Sequence, residues 1–269
     1  MSTDRGAGLL AQVTPLVITF NEAANIERTL SRLAWARRIV VVDSGSTDET
    51  LAIVRGFPQA EVIQRPFDSF ARQCNFGLAQ IRTEWALSLD ADYELSDALV
   101  REMAALDPEA ADGYQARFAY RVWGRPLRGA LYPPRTVLYR VAAARYADEG
   151  HGHRVSVSGK VRPLNGVIYH DDRKPLARWL DSQKRYAHAE ARHLLAAAPA
   201  ELSGRDRVRR MAWPAPLLVF AYVLVVKGCL LDGWPGWFYA LQRLLAEVMI
   251  ALEVIDQRMT PPSPAAPRP

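Results

Sequence analysis

Residues 38–43 read Arg-Ile-Val-Val-Val-Asp and run directly into Ser44-Gly45-Ser46-Thr47-Asp48. The apolar run is continuous and β-branched rather than alternating. It therefore predicts a strand buried on both faces. The polar cluster behind it predicts a turn that opens a helix reaching about residue 55. The same grammar repeats on either side. Residues 16–20 form an apolar run ending at Asn21-Glu22, and 23–33 place Ile26, Leu30 and Leu33 on one helical face. Residues 61–64 predict a third strand and 69–81 a helix. Residues 85–89 (Trp-Ala-Leu-Ser-Leu) predict a fourth strand that ends at Asp90-Ala91-Asp92, with a helix over 97–106. Alternating strands and helices of this kind imply an α/β fold with a mainly parallel sheet covered on both faces. Ligands of such sheets bind beyond the carboxyl ends of the strands, and Asn21, Glu22, Asp43, Asp90 and Asp92 all fall there.

The pattern changes after residue 113. Short runs at 114–120, 135–139, 155–157 and 166–169 predict an antiparallel or mixed extension of the sheet. A long helix is expected over 174–198. Four arginines (Arg205, Arg207, Arg209, Arg210) then precede an uncharged stretch, 211–226, and 233–255 is a second apolar region. The expected organisation is a flexible leader at 1–14, the main α/β domain at 15–198, an apolar or amphipathic helical region at 199–258, and a disordered proline-rich tail at 259–269.

Composition narrows the function. Lys plus Arg number 34 against 29 Asp plus Glu, a net charge of +5 that is too small and too dispersed to indicate nucleic acid. Only four basic residues are lysines, and arginine forks suit phosphate groups. Cys74 and Cys229 are too few for a disulfide framework or a cysteine-rich zinc site, which fits a reducing compartment. The first residues carry Asp4 and no apolar core of signal-peptide length, so a cytoplasmic location is expected.

Asp90 and Asp92, one residue apart past a strand, can share a hard divalent cation that also touches a diphosphate; the plain alternative is a solvated turn. Asp43 is either a turn aspartate accepting N–H bonds from its own loop or an acceptor for a nucleobase or ribose. Arg72, with Gln73 and Asn75, begins a helix, where it is a solvated residue or reaches a phosphate at the sheet edge. Asp148-Glu149-Gly150-His151-Gly152-His153 is the most unusual stretch of the second half. It is a polar turn, a weak metal signal, or a carboxylate placed to take a proton from an acceptor hydroxyl.

Residues 16–22 (LVITFNE), Asn25-Ile26, 40–50 (VVVDSGSTDET), 70–77 (FARQCNFG) and 85–92 (WALSLDAD), in this order and spacing, resemble the family-2 inverting glycosyltransferases, most closely the branch of the lipopolysaccharide-core glucosyltransferases. The likeness covers 16–106 and continues more thinly through Glu149-Gly150-His151, Arg154, His170 and 183–186. It implies a GT-A-type fold followed by C-terminal helices, a nucleotide-sugar donor and a divalent cation, Mg or Mn. It implies that Thr19, Asn21 and Glu22 line the nucleoside pocket, that Asp43 bonds the base and that Arg72 approaches the nucleotide. Asp90 would meet the ribose or the metal and Asp92 would hold the metal on the diphosphate. The acceptor-side base would be Glu149, with Asp148 the fallback. The branch commonly ends its acidic motif Asp-Ala-Asp-Glu; here Tyr93 takes the last place and Glu94 follows.

Other readings fit less well. An aspartyl phosphohydrolase places its acidic pair after the first core strand, not the fourth. A dinucleotide-dependent oxidoreductase needs G-x-G-x-x-G where this chain has Asn21-Glu-Ala-Ala-Asn25. A non-catalytic membrane-surface adaptor would not need intact acids at Asp43, Asp90, Asp92 and Glu149. The 211–226 stretch would be about 24 Å long as a helix, short of the ~30 Å hydrocarbon core. It is expected to lie in the membrane interface, on the inner face of the cytoplasmic membrane, and to bring the site to a lipid-linked or glycan acceptor. A buried helix or a homo-oligomer contact through Trp234, Trp237 and Phe238 is the alternative, and a full span extended to residue 231 is the third.

Overall fold

The computed structural model describes residues 8–149 and 152–259, with the side chains of residues 149, 152 and 153 left out of the description. Two compact units divide the chain. The first comprises residues 1–126 and 132–174, and the second 127–131 and 175–269.

The first unit opens with a short 3-10 turn, Leu9–Gln12, and strand β1, Val13–Thr19. Regular structure thus begins earlier than the sequence suggests: Leu9 is fully buried, and Val13 and Thr14 already pair with β4. Pro15 is tolerated inside β1 because β2 joins the ladder only from Leu16, so on that side there is no partner to lose. The order continues α1 (Ile26–Ser31), β2 (Ile39–Asp43), α2 (Thr50–Val54), β3 (Ala60–Gln64), α3 (Phe70–Ala79), β4 (Trp85–Asp90), β5 (Tyr93–Leu95) and α4 (Asp97–Ala104). Then follow β6 (Gly113–Val122), β7 (Arg125–Pro126), β8 (Arg135–Arg140), β9 (Ala144–Glu149), β10 (Gly152–Val157) and β11 (Val161–His170).

Strands β3, β2, β1 and β4 are mutually parallel. The sheet then mixes directions across β8, β6, β11 and β5, with β7 beside β6. Successive residues of the central strands enter opposite cores, as a continuous apolar run requires. Val17, Val41, Leu87 and Leu89 pack with α1 and α4, while Leu16, Val40, Val42 and Ala86 pack with Ala71, Cys74 and Leu78 of α3. Gly77 lets α3 lie this close, since a Cβ there would come within 2.4 Å of the Leu16 side chain.

β10 contains the short run expected at 155–157, but its partner β9 and their pairing as a separate antiparallel hairpin were not foreseen. β5 is three residues long and exists through its pairing with β11. Helix α4 is capped by the Ser96 hydroxyl, which accepts from Leu99 N. α4 also presses on β11, where a Cβ on Gly166 would meet the Leu99 backbone at 2.5 Å. Gly166→Ala should therefore cost about 2 kcal/mol or more by overpacking, seen as a melting temperature lower by roughly 4–8 °C. An unchanged melt would show that α4 can move aside.

The second unit contains α5 (Leu176–Ala196), α6 (Gly204–Arg210), α7 (Pro214–Ala221) and α8 (Trp234–Met259). α7 begins with Pro214 in its first turn, as its missing N–H favours, and runs on into a π-helical turn, Tyr222–Val226. A 3-10 turn, Cys229–Asp232, leads into α8. Ala191, Leu194, Leu202, Ala212, Ala251 and Val254 make the core. Arg209 is fixed inside the unit by Glu247 and by Glu190 at 3.2 Å. It thus faces the interior of the unit rather than solvent. α7 is not a buried helix, since Leu217 and Leu218 are 66% and 57% exposed. Among the described residues no helix is long and apolar enough to cross a membrane.

Candidate active site

The parallel strands deliver their terminal polar residues to one edge. Thr19 ends β1 and stands opposite Asp43 of β2, and Asp90 of β4 stands opposite Ile18. The Thr19 hydroxyl is buried and has no hydrogen-bond partner among the described residues.

Asn21 adopts a left-handed backbone, φ 54°, which asparagine tolerates better than most residues. Its Oδ1 accepts Thr47 N at 2.6 Å and its own N–H donates to Ser46 Oγ at 2.7 Å. Asn21 therefore clasps the loop after β1 to the loop after β2. Asp43 is fully buried, and its Oδ2 accepts from Gly45 N and Ser46 N at 3.0 Å each. The turn role weighed from sequence is thus present in the structure. Arg65, to which the sequence reading gave no role, hydrogen-bonds the Asp43 carbonyl through its N–H and holds Asp68 with its guanidinium. Arg72 lies on the helix surface with its side chain 73% exposed, 3.6 Å from Asp68.

The acidic motif is not a solvated turn. The Ala91 carbonyl accepts a buried bond from Thr29 Oγ1 of α1 at 2.7 Å. Asp92 is 9% exposed and lies 3.0 Å from His170 Nε2 at the end of β11. Burial alone would raise the Asp92 carboxyl, but the charge and hydrogen bond of His170 and the charge of Lys174 outweigh it and hold the carboxyl at about 2. Burial likewise opposes a charge on His170, and Asp92 overrides it and raises the imidazole. Rings of Tyr93, Tyr120 and Tyr132 stand edge-on to the imidazole at 4.7–5.3 Å. The hydroxyls of Tyr93 and Tyr132 meet, and burial and Asp90 push both phenols up, so they remain neutral.

Lys174 Nζ contacts Glu22 Oε1 at 2.6 Å. Burial raises the Glu22 carboxyl, Lys174 pulls it back and Asp92 pushes it up again, leaving it at about 7. Burial also opposes the lysine charge, but Glu22, Asp92 and Asp172 more than compensate and raise it. Behind this lies a second group: Arg28 pairs with Glu94 and Asp171, and Arg173 pairs with Asp171 at 2.8 Å. Glu94 thus engages a cation of α1. Arg135 of β8 sits over the Tyr132 ring at 4.8 Å and feels the charge of Asp90. His170, Lys174 and Arg135 were not chosen from sequence. His170 was visible in the sequence, but the contacts of His170 with Asp92, 78 positions earlier, and of Lys174 with Glu22, 152 positions earlier, were not.

Asp148, on the hairpin, is exposed, and its Oδ1 accepts Ala71 N in the first turn of α3 at 3.1 Å. The Glu149 side chain, Gly150 and His151 lie outside the described residues.

Among the described residues, no three His, Cys, Asp or Glu side chains are gathered to hold a metal by themselves. Two carboxylates one residue apart suit a cation that completes its shell with substrate phosphates, as magnesium commonly does. Asp92, held ionised, and Asp90 fit that donor set.

The profile described as Glycosyl transferase family 2 matches residues 16–156, just over half of the chain. The chain belongs to this family. The match spans the parallel strands, the acidic edge and the hairpin. An uncharacterized glycosyltransferase of Rickettsia bellii is 28% identical over 203 residues, 70% of this chain and 69% of that protein. The lipopolysaccharide core biosynthesis glycosyltransferase LpsC of Rhizobium meliloti is 34% identical over 161 residues, 58% of this chain and 57% of that one. In fold, the chain is similar to a mannosyltransferase of Pyrobaculum calidifontis solved with GDP-Man and Mn2+. The TM-score is 0.51 at 16% identity, covering 91% of this chain and 87% of that one. The α/β fold expected from the strand grammar is thus shared with a solved glycosyltransferase, and by its family the chain is a glycosyltransferase. Neither the phosphohydrolase nor the adaptor reading draws support from these likenesses.

Proposed function

We propose that this glycosyltransferase moves a sugar, with inversion at the anomeric carbon, from its nucleotide-sugar donor to a hydroxyl of a lipid-linked or envelope glycan acceptor of the lipopolysaccharide-core kind. The transfer needs a divalent cation, Mg or Mn. The observation that carries this reading is Asp92, buried yet held ionised by His170 and Lys174 beside Asp90 at the carboxyl edge of the parallel strands. The name of the Rhizobium relative supports the acceptor class, and the Mn2+ and GDP-Man of the Pyrobaculum protein support the cation and donor.

Asp92 and Asp90 would hold the cation. When bound, it neutralises charge growing on the departing diphosphate. Thr19, Asn21, Glu22 and Asp43 line the nucleoside side; the Thr19 hydroxyl, without a hydrogen-bond partner among the described residues, is a polar group on offer there. Arg72 reaches the nucleotide by leaving Asp68, a small cost for an exposed pair. Glu149, or failing it Asp148, takes the proton of the acceptor hydroxyl, and attack from the face opposite the leaving group inverts the centre. Working on such an acceptor, the protein sits peripherally at the cytoplasmic membrane.

Transfer and donor hydrolysis should be measured over a panel of nucleotide sugars, with Mg, with Mn and after chelation. One sugar nucleotide should be turned over in a cation-dependent way; turnover indifferent to chelation would remove the cation from the reading. Asp43→Ala should weaken the donor and the free nucleoside diphosphate alike, because both carry the base. Calorimetry giving an unaltered diphosphate affinity would leave Asp43 only its turn bonds.

A further inference from the structure

The surface of the second unit carries an open, shallow hollow of about 480 Å³ where α6 meets α7. Its walls include Arg207, Arg210, Met211, Trp213 and, from the end of α8, Arg258. Three lining residues are arginines and none is an acid. Each guanidinium is tethered by one backbone carbonyl: Arg207 Nε to Leu202 O at 3.1 Å, Arg210 Nη1 to Ala197 O at 3.2 Å, and Arg258 Nη2 to the Arg210 carbonyl. Among the described residues none of the three has a carboxylate partner, which leaves most of their five N–H donors unengaged. Arg209, between two of them in sequence, shows the contrast, since its guanidinium is satisfied by Glu247 and Glu190.

Three oriented cations without an anion repel one another, and a phosphate matches their forks. The apolar half of the wall says which phosphate. Ala212 sits at φ 68°, a left-handed backbone unfavourable for alanine, and its methyl is buried in the core of this unit. That turn leaves Met211 and Trp213 on either side 57% and 74% exposed. The chain beyond them exposes Leu217, Leu218, Val225 and Val226 as well. A free phosphate would use the arginines and leave these side chains in water, whereas a lipid uses both.

We infer that the Arg207–Arg210–Arg258 hollow is a headgroup site for an anionic phospholipid, with Trp213 and the exposed residues of α7 lying among its acyl chains. The inference uses no residue of the sheet-edge site and stands independently of the proposed reaction.

Flotation of the full chain with phosphatidylcholine vesicles, with and without phosphatidylglycerol, tests it. Binding should require the anionic lipid and weaken with salt. The triple variant R207Q/R210Q/R258Q should lose roughly 10²-fold in affinity, about fivefold per arginine, with unchanged melting and unchanged donor hydrolysis. Arg258→Gln alone, at an exposed helix end, should lose severalfold and guards against misfolding of the triple variant. L217S/L218S should also release the protein while leaving the arginines in place. Equal binding to neutral vesicles, or unchanged binding by the arginine variants, would overturn the site. Displacement by inorganic phosphate as readily as by a short-chain phosphatidylglycerol would make it a soluble-anion site and overturn it too. So would a detergent-free dimer that shields Trp213 from a fluorescence quencher, since a second copy would then cover this face.

Discussion

Asp92→Asn should lower transferase turnover at least ~10²-fold, the scale on which removal of one charge-stabilising group acts in an active site. Asparagine keeps the shape and one acceptor oxygen but removes the charge that would hold a cation. It should not be silent in stability. A solvated turn acid could be replaced freely, but Asp92 is buried against His170. Its carboxyl is held at about 2, below its unfolded value of 3.8, a difference worth about 2 kcal/mol. Because the folded value is the lower one, this contribution is complete above about pH 4 and vanishes as pH falls through 2. His170 is raised, so its share is full below its unfolded value of 6.5 and fades as pH rises through the folded one. In metal-free buffer the melting gap between wild type and Asp92→Asn should be widest near pH 5 and narrow towards pH 3. Turnover is to be compared well below both melting temperatures. Unchanged turnover would remove Asp92 from the diphosphate; a constant gap across pH would remove the pairing with His170.

Glu149→Gln should spare donor and Mn affinity and lower turnover at least ~10²-fold, the low end for general-base catalysis. A base acts on the acceptor alone, and glutamine keeps size and hydrogen-bonding shape without accepting the proton. Asp148→Asn should be milder in turnover. Since Asp148 Oδ1 accepts Ala71 N, its replacement has a structural readout of its own, a loosened start of α3. If the two turnover effects are reversed, the base is Asp148. If neither variant loses turnover, neither acid is the base and His151 is the next residue to replace.

Legibility along this chain follows where the hydrophobic signal is local. β1, β2 and β4 were readable because a strand buried on both faces must be an unbroken apolar run, and their carboxyl ends then had to gather Thr19, Asp43 and Asp90. β5 and β9 were not, because three residues carry no period and Asp148-Glu149 carries no apolar alternation; of β10 only 155–157 was readable. Their strand character comes from partners, Leu95 against Ile168 and Tyr146 against Val155. Arg72 was chosen for its type and place; the structure puts its side chain in solvent.

The sequence by itself determined the α/β class, the parallel strands, the order of acids at their ends and membership of the glycosyltransferase family, all of which are properties of neighbouring residues and their spacing. Only the tertiary structure decided the electrostatic state of those acids. Asp92 meets His170 across 78 residues and Glu22 meets Lys174 across 152. Whether a carboxylate is solvated or buried beside a cation depends on which distant strand the sheet sets next to it. Likewise, only folding separated Arg209, closed in by Glu190 and Glu247, from Arg207 and Arg210, which line a surface hollow. A run of like residues on a short helix carries the same signal at every position until packing gives each a different side to face.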